Sequence, residues 1–97
     1  MVENSPAEVC RIDVWLWRAR LTKTRALASA LAAEGRIRLT RAGAQTRLDK
    51  ASRTVRPGDE LVFALAGRVT AVRVLGLGLR RGPPAEASAL YEAVSAA

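Results

Sequence analysis

Ile12, Trp15, Leu16 and Ala19 fall at i, i+3, i+4 and i+7, an apolar stripe with helical period. The spacing predicts a first helix of about two turns. It opens near Asp13, whose carboxylate can accept from the exposed N–H groups of a first turn. Arg18 and Arg20 fall off the stripe. After the short connection Leu21-Thr22-Lys23, either Thr24 or Thr22 can cap a second helix that runs to about Glu34. Leu27, Ala28, Leu31 and Ala32 form its expected buried side. Gly35 supplies the left-handed residue that ends it.

The period then changes from 3.6 to 2. Arg36-Ile37-Arg38-Leu39-Thr40 alternates, so Ile37 and Leu39 face a core while Arg36, Arg38 and Thr40 face outward. Residues 41–49 are polar and contain glycine, a loop or loose hairpin, and a short irregular strand is expected within 50–55. Arg56-Pro57-Gly58-Asp59 carries the Pro and Gly of a type II turn. Residues 61–66 read as a buried strand, Gly67-Arg68 as a break, and residues 69–75 as its hairpin partner. Gly76, Gly78, Gly82, Pro83 and Pro84 read as a flexible link. A final helix is expected from near Ala85, with Ala87, Leu90, Tyr91 and Val94 on one face. Residues 1–9 show no periodicity and read as a flexible lead.

Two helices, antiparallel strands and a last helix imply an α+β domain without internal repeats. A chain of 97 residues supports one small domain. The expected division is a lead over 1–10, a folded domain over 11–75, and a Gly/Pro link with a C-terminal helix over 76–97.

Charge narrows the functional classes. The formal net charge is +7, from 16 Lys plus Arg against 9 Asp plus Glu. It is unevenly placed: residues 1–10 carry −2, residues 11–56 carry +9, and residues 57–97 are neutral. GC-rich codon usage explains 14 Arg against 2 Lys, but not the scarcity of acids in one segment. That segment is the electrostatic footprint of a polyanion binder. No apolar run reaches the roughly 18 residues of a spanning helix, and residues 1–10 do not form a secretory signal. A cytoplasmic protein that binds nucleic acid rather than membrane is expected. The sequence has no His and a single Cys, Cys10, which excludes histidine chemistry and an internal disulfide. No nucleophile elbow, P-loop or metal-ligand cluster appears, so neither catalysis nor a cofactor is expected.

Several segments resemble one known family in register. Arg11-Ile12-Asp13-Val14-Trp15-Leu16-Trp17 is similar to the Arg-Leu-Asp-x-Trp-Leu-Trp opening of the S-four, or αL, RNA-binding domain. Thr24-Arg25 falls at its Ser-Arg, and Gly35-Arg36-Ile37-Arg38-Leu39 at its Gly-basic-Val-x-Val. Lys50-Ala51-Ser52 falls at its Lys-Pro-Ser, and residues 55–61 at its Val-x-Pro-Gly-Asp-x-Leu turn. The paired Trp15 and Trp17, residues 23–28, and the tail Arg80-Arg81-Gly82-Pro83 with Leu90-Tyr91-Glu92 look most like the heat-shock protein fifteen family within it. There are departures. Residues 40–43 replace an Asn-Gly turn, with a following loop about five residues longer. Ala51 replaces Pro, Leu27 stands at a capping Glu, and the tail ends without cations.

The resemblance implies an αL fold, two helices on a small, mainly antiparallel sheet, and a non-catalytic, ribosome-associated role. It implies binding to large-subunit ribosomal RNA, with peptidyl transfer RNA as a further partner. The chain would help to recycle free large subunits that carry a nascent chain after aborted translation. The implied RNA-binding residues are Arg11, Lys23, Thr24, Arg25, Arg36, Arg38, Lys50, Ser52 and Arg53, acting from a monomer. Arg can bridge phosphate oxygens bidentately, and the start of the second helix offers free N–H groups. Trp15 is expected in the core. Trp17 is expected to pack on the C-terminal helix, with stacking on a base as the alternative. Asp13 is expected as a cap or arginine partner, Cys10 as incidental, and Leu90 with Tyr91 as the dock of the last helix. Two rival readings remain open: a small basic DNA-binding protein, or a protein-assembly subunit with an incidental basic face.

Overall fold

Ile12, Trp15, Leu16 and Ala19 are all buried, so the predicted stripe is the inward face of the first helix. The computed structural model describes residues 8–94, so residues 1–7 of the expected lead lie outside them, while Cys10 at its end belongs to a strand. Strand β1 (Cys10–Arg11) leads directly into α1 (Ile12–Arg18), and α2 (Arg25–Ala33) packs against α1. Strands β2 (Ile37–Arg41), β3 (Ala44–Leu48), β4 (Thr54–Val55), β5 (Glu60–Leu65) and β6 (Arg68–Val74) follow. Helix α3 (Pro84–Ser88) and strand β7 (Tyr91–Ala93) close the described chain. The fold is α+β, with a five-stranded antiparallel sheet in the order β3-β2-β5-β6-β7 and a separate β1-β4 pair.

Thr24, not Thr22, caps α2: its hydroxyl oxygen accepts from the Leu27 N–H at 3.0 Å. Thr22 is buried beside it and donates to the Thr24 carbonyl at 3.1 Å, which fixes the corner between the helices. Gly35 takes φ +71° and ends α2, as its position predicted. Ala28, Leu31 and Ala32 are buried, but Leu27 is 38% exposed. Leu27 therefore lies at the margin of the helix, because consecutive residues on a helix are about 100° apart and Ala28 holds the inward position.

Ile37 and Leu39 of β2 face the helices together with Leu48, Leu61, Phe63, Val72 and Val74, forming one core with α1 and α2. Arg38 and Thr40 point to the other side of the sheet. Pro57-Gly58 forms the expected turn, with Gly58 at φ +98° and the Asp59 N–H donating to the Arg56 carbonyl at 3.1 Å.

Residues 41–49, expected as a loop or loose hairpin, are more regular than that. They complete a regular hairpin in which Arg41 pairs with Ala44 across the two-residue turn Ala42-Gly43. Ala42 has φ +52° and Gly43 φ +81°, the left-handed pair that a tight hairpin needs. Alanine is strained there. Ala42→Asn is expected to stabilise the domain by about 1 kcal/mol, raising Tm by about 4–8 °C. Thermal unfolding checks this, and a lower Tm would contradict the turn geometry.

The C-terminal segment also differs. The expected helix is only five residues long, and Tyr91–Ala93 is a strand paired with β6, Val74 opposite Tyr91. Tyr91 thus docks the tail through strand pairing rather than on a helix face. Residues 76–82 are pinned to α1 and to the turn that follows it. The Gly76 carbonyl accepts from Trp15 Nε1 at 2.8 Å, the Gly78 carbonyl from Arg18 at 2.8 Å, and the Gly82 carbonyl from Arg20 at 2.6 Å. Trp17, expected on the C-terminal helix, meets Arg81 of this segment just before α3. Its ring lies 5.8 Å from the Arg81 guanidinium carbon, and its carbonyl accepts from Arg81 Nε at 3.1 Å. Cys10 lies inside the fold, paired with Val55 and half-buried, and burial pushes its thiol pKa up.

Candidate functional site

Asp13 organises one end of the helix pair. It is almost fully buried, and Arg11 clasps it bidentately, Nε to Oδ1 and Nη2 to Oδ2, both at 3.0 Å. Ser29 of α2 donates to Oδ2 at 3.1 Å, and Arg25 approaches the same oxygen at 3.7 Å. The backbone N–H of Val14 donates to Oδ1 at 2.8 Å. Asp13 therefore sits inside α1 as an arginine partner, and Arg11 holds the cap position. Burial works to raise the Asp13 pKa, but the bonds from Arg11 and Ser29 outweigh it and hold the carboxyl below its ordinary value.

This arrangement has a pH signature. The folded-state pKa is the lower one. Its stabilisation is fully present above the unfolded value of about 3.9 and is lost as pH falls through the folded value. Asp13→Asn is expected to cost about 1.5–3 kcal/mol at pH 7. Urea unfolding should show the gap to wild type shrinking at pH 3, and an equal gap at both pH values would contradict the role given to the carboxylate.

The same end gathers the segment before β4. Arg11 pairs with Thr54, and the Ile12 N–H donates to the Arg53 carbonyl at 2.8 Å. A turn carries Lys50 beside it, through the Arg53 N–H to the Lys50 carbonyl at 3.2 Å. Lys23 and Arg25 flank the α2 cap. Arg11, Lys23, Thr24, Arg25, Lys50, Ser52 and Arg53 thus belong to one end of the molecule, built from α1, the cap of α2 and the 50–54 strap. All seven are exposed.

Their availability differs. Arg11 and Arg25 share Asp13, the Thr24 hydroxyl oxygen serves the cap, and Arg53 lies 3.6 Å from the exposed Asp49. Lys23 and Lys50 make no ion pair or side-chain hydrogen bond among the described residues. Arg18 and Arg20, part of the same basic segment, are spent on backbone carbonyls.

Arg36 and Arg38 do not join this end. Arg38 projects from the face of the sheet turned away from the helices, directly opposite Arg47 of β3. Arg36 precedes β2 at the edge of that face, 3.4 Å from Glu34. Arg47 has no counterpart among the residues the sequence singles out, because its facing depends on a hairpin register that residues 41–49 do not announce. Arg41 is structural: it grips the buried Asp59 bidentately at 2.9 and 2.8 Å, tying the hairpin to the Pro-Gly turn.

Among the described residues no helix is long and apolar enough to cross a membrane. No family model matches the chain. It is similar to heat shock protein 15 of Escherichia coli K12, 32% identical over 91 residues, which covers 94% of this chain and 65% of the relative. A heat shock protein 15 homolog of Haemophilus influenzae is 34% identical over 83 residues, 84% of this chain and 59% of the relative. The chain thus spans about 65% of the length of its Escherichia coli relative. A solved trimeric structure of Vibrio cholerae heat shock protein 15 matches with a TM-score of 0.77 at 27% identity, over 91% of this chain and 84% of the other.

Proposed function

Because the chain belongs to the heat shock protein 15 family, we propose that it is a non-catalytic, cytoplasmic RNA-binding protein acting on large-subunit ribosomal RNA. The observation that carries this reading is the exposed cationic end built from α1, the α2 cap and the 50–54 strap. Lys23, Lys50 and Arg53 supply the phosphate contacts. Arg11 and Arg25, oriented by Asp13, present guanidinium edges that are half exposed. Ser52 and the first N–H groups of α2 add neutral donors. Such a surface reads phosphate positions and helix shape rather than base edges, which suits folded RNA. The more specific role, recycling of free large subunits that carry a nascent chain on transfer RNA, is part of the same proposal.

The DNA-binding alternative needs α2 as a recognition helix. Its exposed positions include Arg25, Ala26, Leu27 and Ala33, which offer few donors or acceptors for base edges. Competition between duplex DNA and a folded ribosomal RNA fragment at matched salt tests the choice. RNA is expected to win, and a preference for DNA would overturn the reading.

A further inference from the structure

Arg38 and Arg47 stand directly opposite each other on adjacent strands. Like charges in that position repel and destabilise a sheet. Neither makes an ion pair or a side-chain hydrogen bond among the described residues. No acid among the described residues offsets the pair: Arg38 faces Val62 on its other side, and Arg47 lies on an edge strand with its side-chain stem against Gly35. An anion with several oxygens, placed between the two guanidinium groups, would convert the repulsion into two charge-assisted contacts.

The surroundings say which kind of anion. The two arginines and Arg36 rim a shallow concavity whose floor is Val62, Ala64 and Val69. Val69 is 69% exposed, a large apolar side chain left open beside three cations. A nucleic-acid strand offers both halves of the match, phosphates for the arginines and flat sugar and base surface for the valines. The concavity lies on the face of the sheet that α1 and α2 do not cover.

We propose that the outward face of β2 and β3, centred on Arg38 and Arg47, is a second RNA-backbone contact surface, on the opposite side of the sheet from the helices. It rests on the RNA-binding reading and goes beyond it, because two faces separated by the sheet can hold two segments of a folded RNA at once.

The test is the salt dependence of binding to a folded fragment of large-subunit ribosomal RNA, measured for wild type and for the Arg38→Gln, Arg47→Gln double variant. Removing one phosphate interaction lowers the slope of log K against log salt by about 0.7–0.9. The double variant is expected to lose about 1–2 from the slope, and its Tm should equal or exceed that of wild type because a repulsion is removed. A wild-type slope in the double variant, with RNA binding intact, would overturn the second surface alone. Absence of salt-dependent RNA binding by wild type would overturn the RNA reading and this surface with it. A polyglutamate peptide that binds wild type as tightly as the RNA does, and is lost in the double variant while RNA binding persists, would reassign the face to an acidic protein.

Discussion

Replacing Trp15 by alanine is expected to lower the unfolding free energy by about 3–5 kcal/mol. Trp15 has no exposed surface and sits where α1 meets the chain beyond β6. The substitution opens a cavity among Ile12, Leu16 and the sheet residues of the same core. It also removes the indole N–H that satisfies the Gly76 carbonyl, so the segment that Arg18 and Arg20 help to hold loses its central anchor. A domain of this size holds only about 5–15 kcal/mol in total, so Trp15→Ala leaves a small reserve. Trp15→Phe keeps most of the ring and isolates the hydrogen bond, at a cost of about 1–2 kcal/mol. Trp17→Ala, at a half-buried position, should cost less than Trp15→Ala. Urea unfolding of the three variants checks the order, and equal losses at Trp15 and Trp17 would contradict the packing described.

The second large effect concerns binding. On the proposed reading, Lys23→Gln, Lys50→Gln and Arg53→Gln together should weaken binding to folded ribosomal RNA by at least about tenfold at about 0.15 M salt. The salt slope should fall by about 2–3, close to one for each phosphate interaction removed. The fold should hardly notice. All three side chains are exposed, and the only ion pair affected among the described residues is Arg53 with the exposed Asp49 at 3.6 Å. Such a pair is worth less than about 1 kcal/mol. An unchanged slope in a folded triple variant would remove this end of the molecule from the interface.

Much of this architecture was legible in the residues. The α1 stripe, the Thr24 cap, the Gly35 terminus and the Pro57-Gly58 turn are local chemistry, and a local pattern specifies each of them. The alternation of residues 36–40 placed Ile37 and Leu39 inward because one face of β2 is buried.

The misses have two causes: weak local signals in the β2–β3 hairpin, and partners distant in sequence elsewhere. Ala42-Gly43 lacks the Asn that announces a tight turn, and β3 is exposed at every position except Leu48, so neither turn chemistry nor apolar alternation decided between a loop and a hairpin or set its register. Leu90, Tyr91 and Val94 fit a helical period, yet pairing with β6 decides the conformation of residues 91–93. The carbonyls of Gly76, Gly78 and Gly82 carry no side-chain signal, although they hold the segment against α1.

The candidate site was read less completely than the fold. Seven of the nine proposed RNA-binding residues gather at one end of the molecule, while Arg36 and Arg38 lie at the other face, where Arg38 meets Arg47. Charge totals could not separate these groups, because the dense basic segment winds through the whole domain. Part of its charge is internal structure: Arg18 and Arg20 bind carbonyls, and Arg41 binds Asp59.

The central claim is that this chain binds the RNA of the large ribosomal subunit. Co-sedimentation of the purified chain with purified free large subunits on a sucrose gradient, at increasing salt, tests it most directly. The chain is expected to travel with the large subunit at low salt and to be released as salt rises, with the triple variant released earlier. A chain that stays at the top of the gradient even at low salt would contradict the claim.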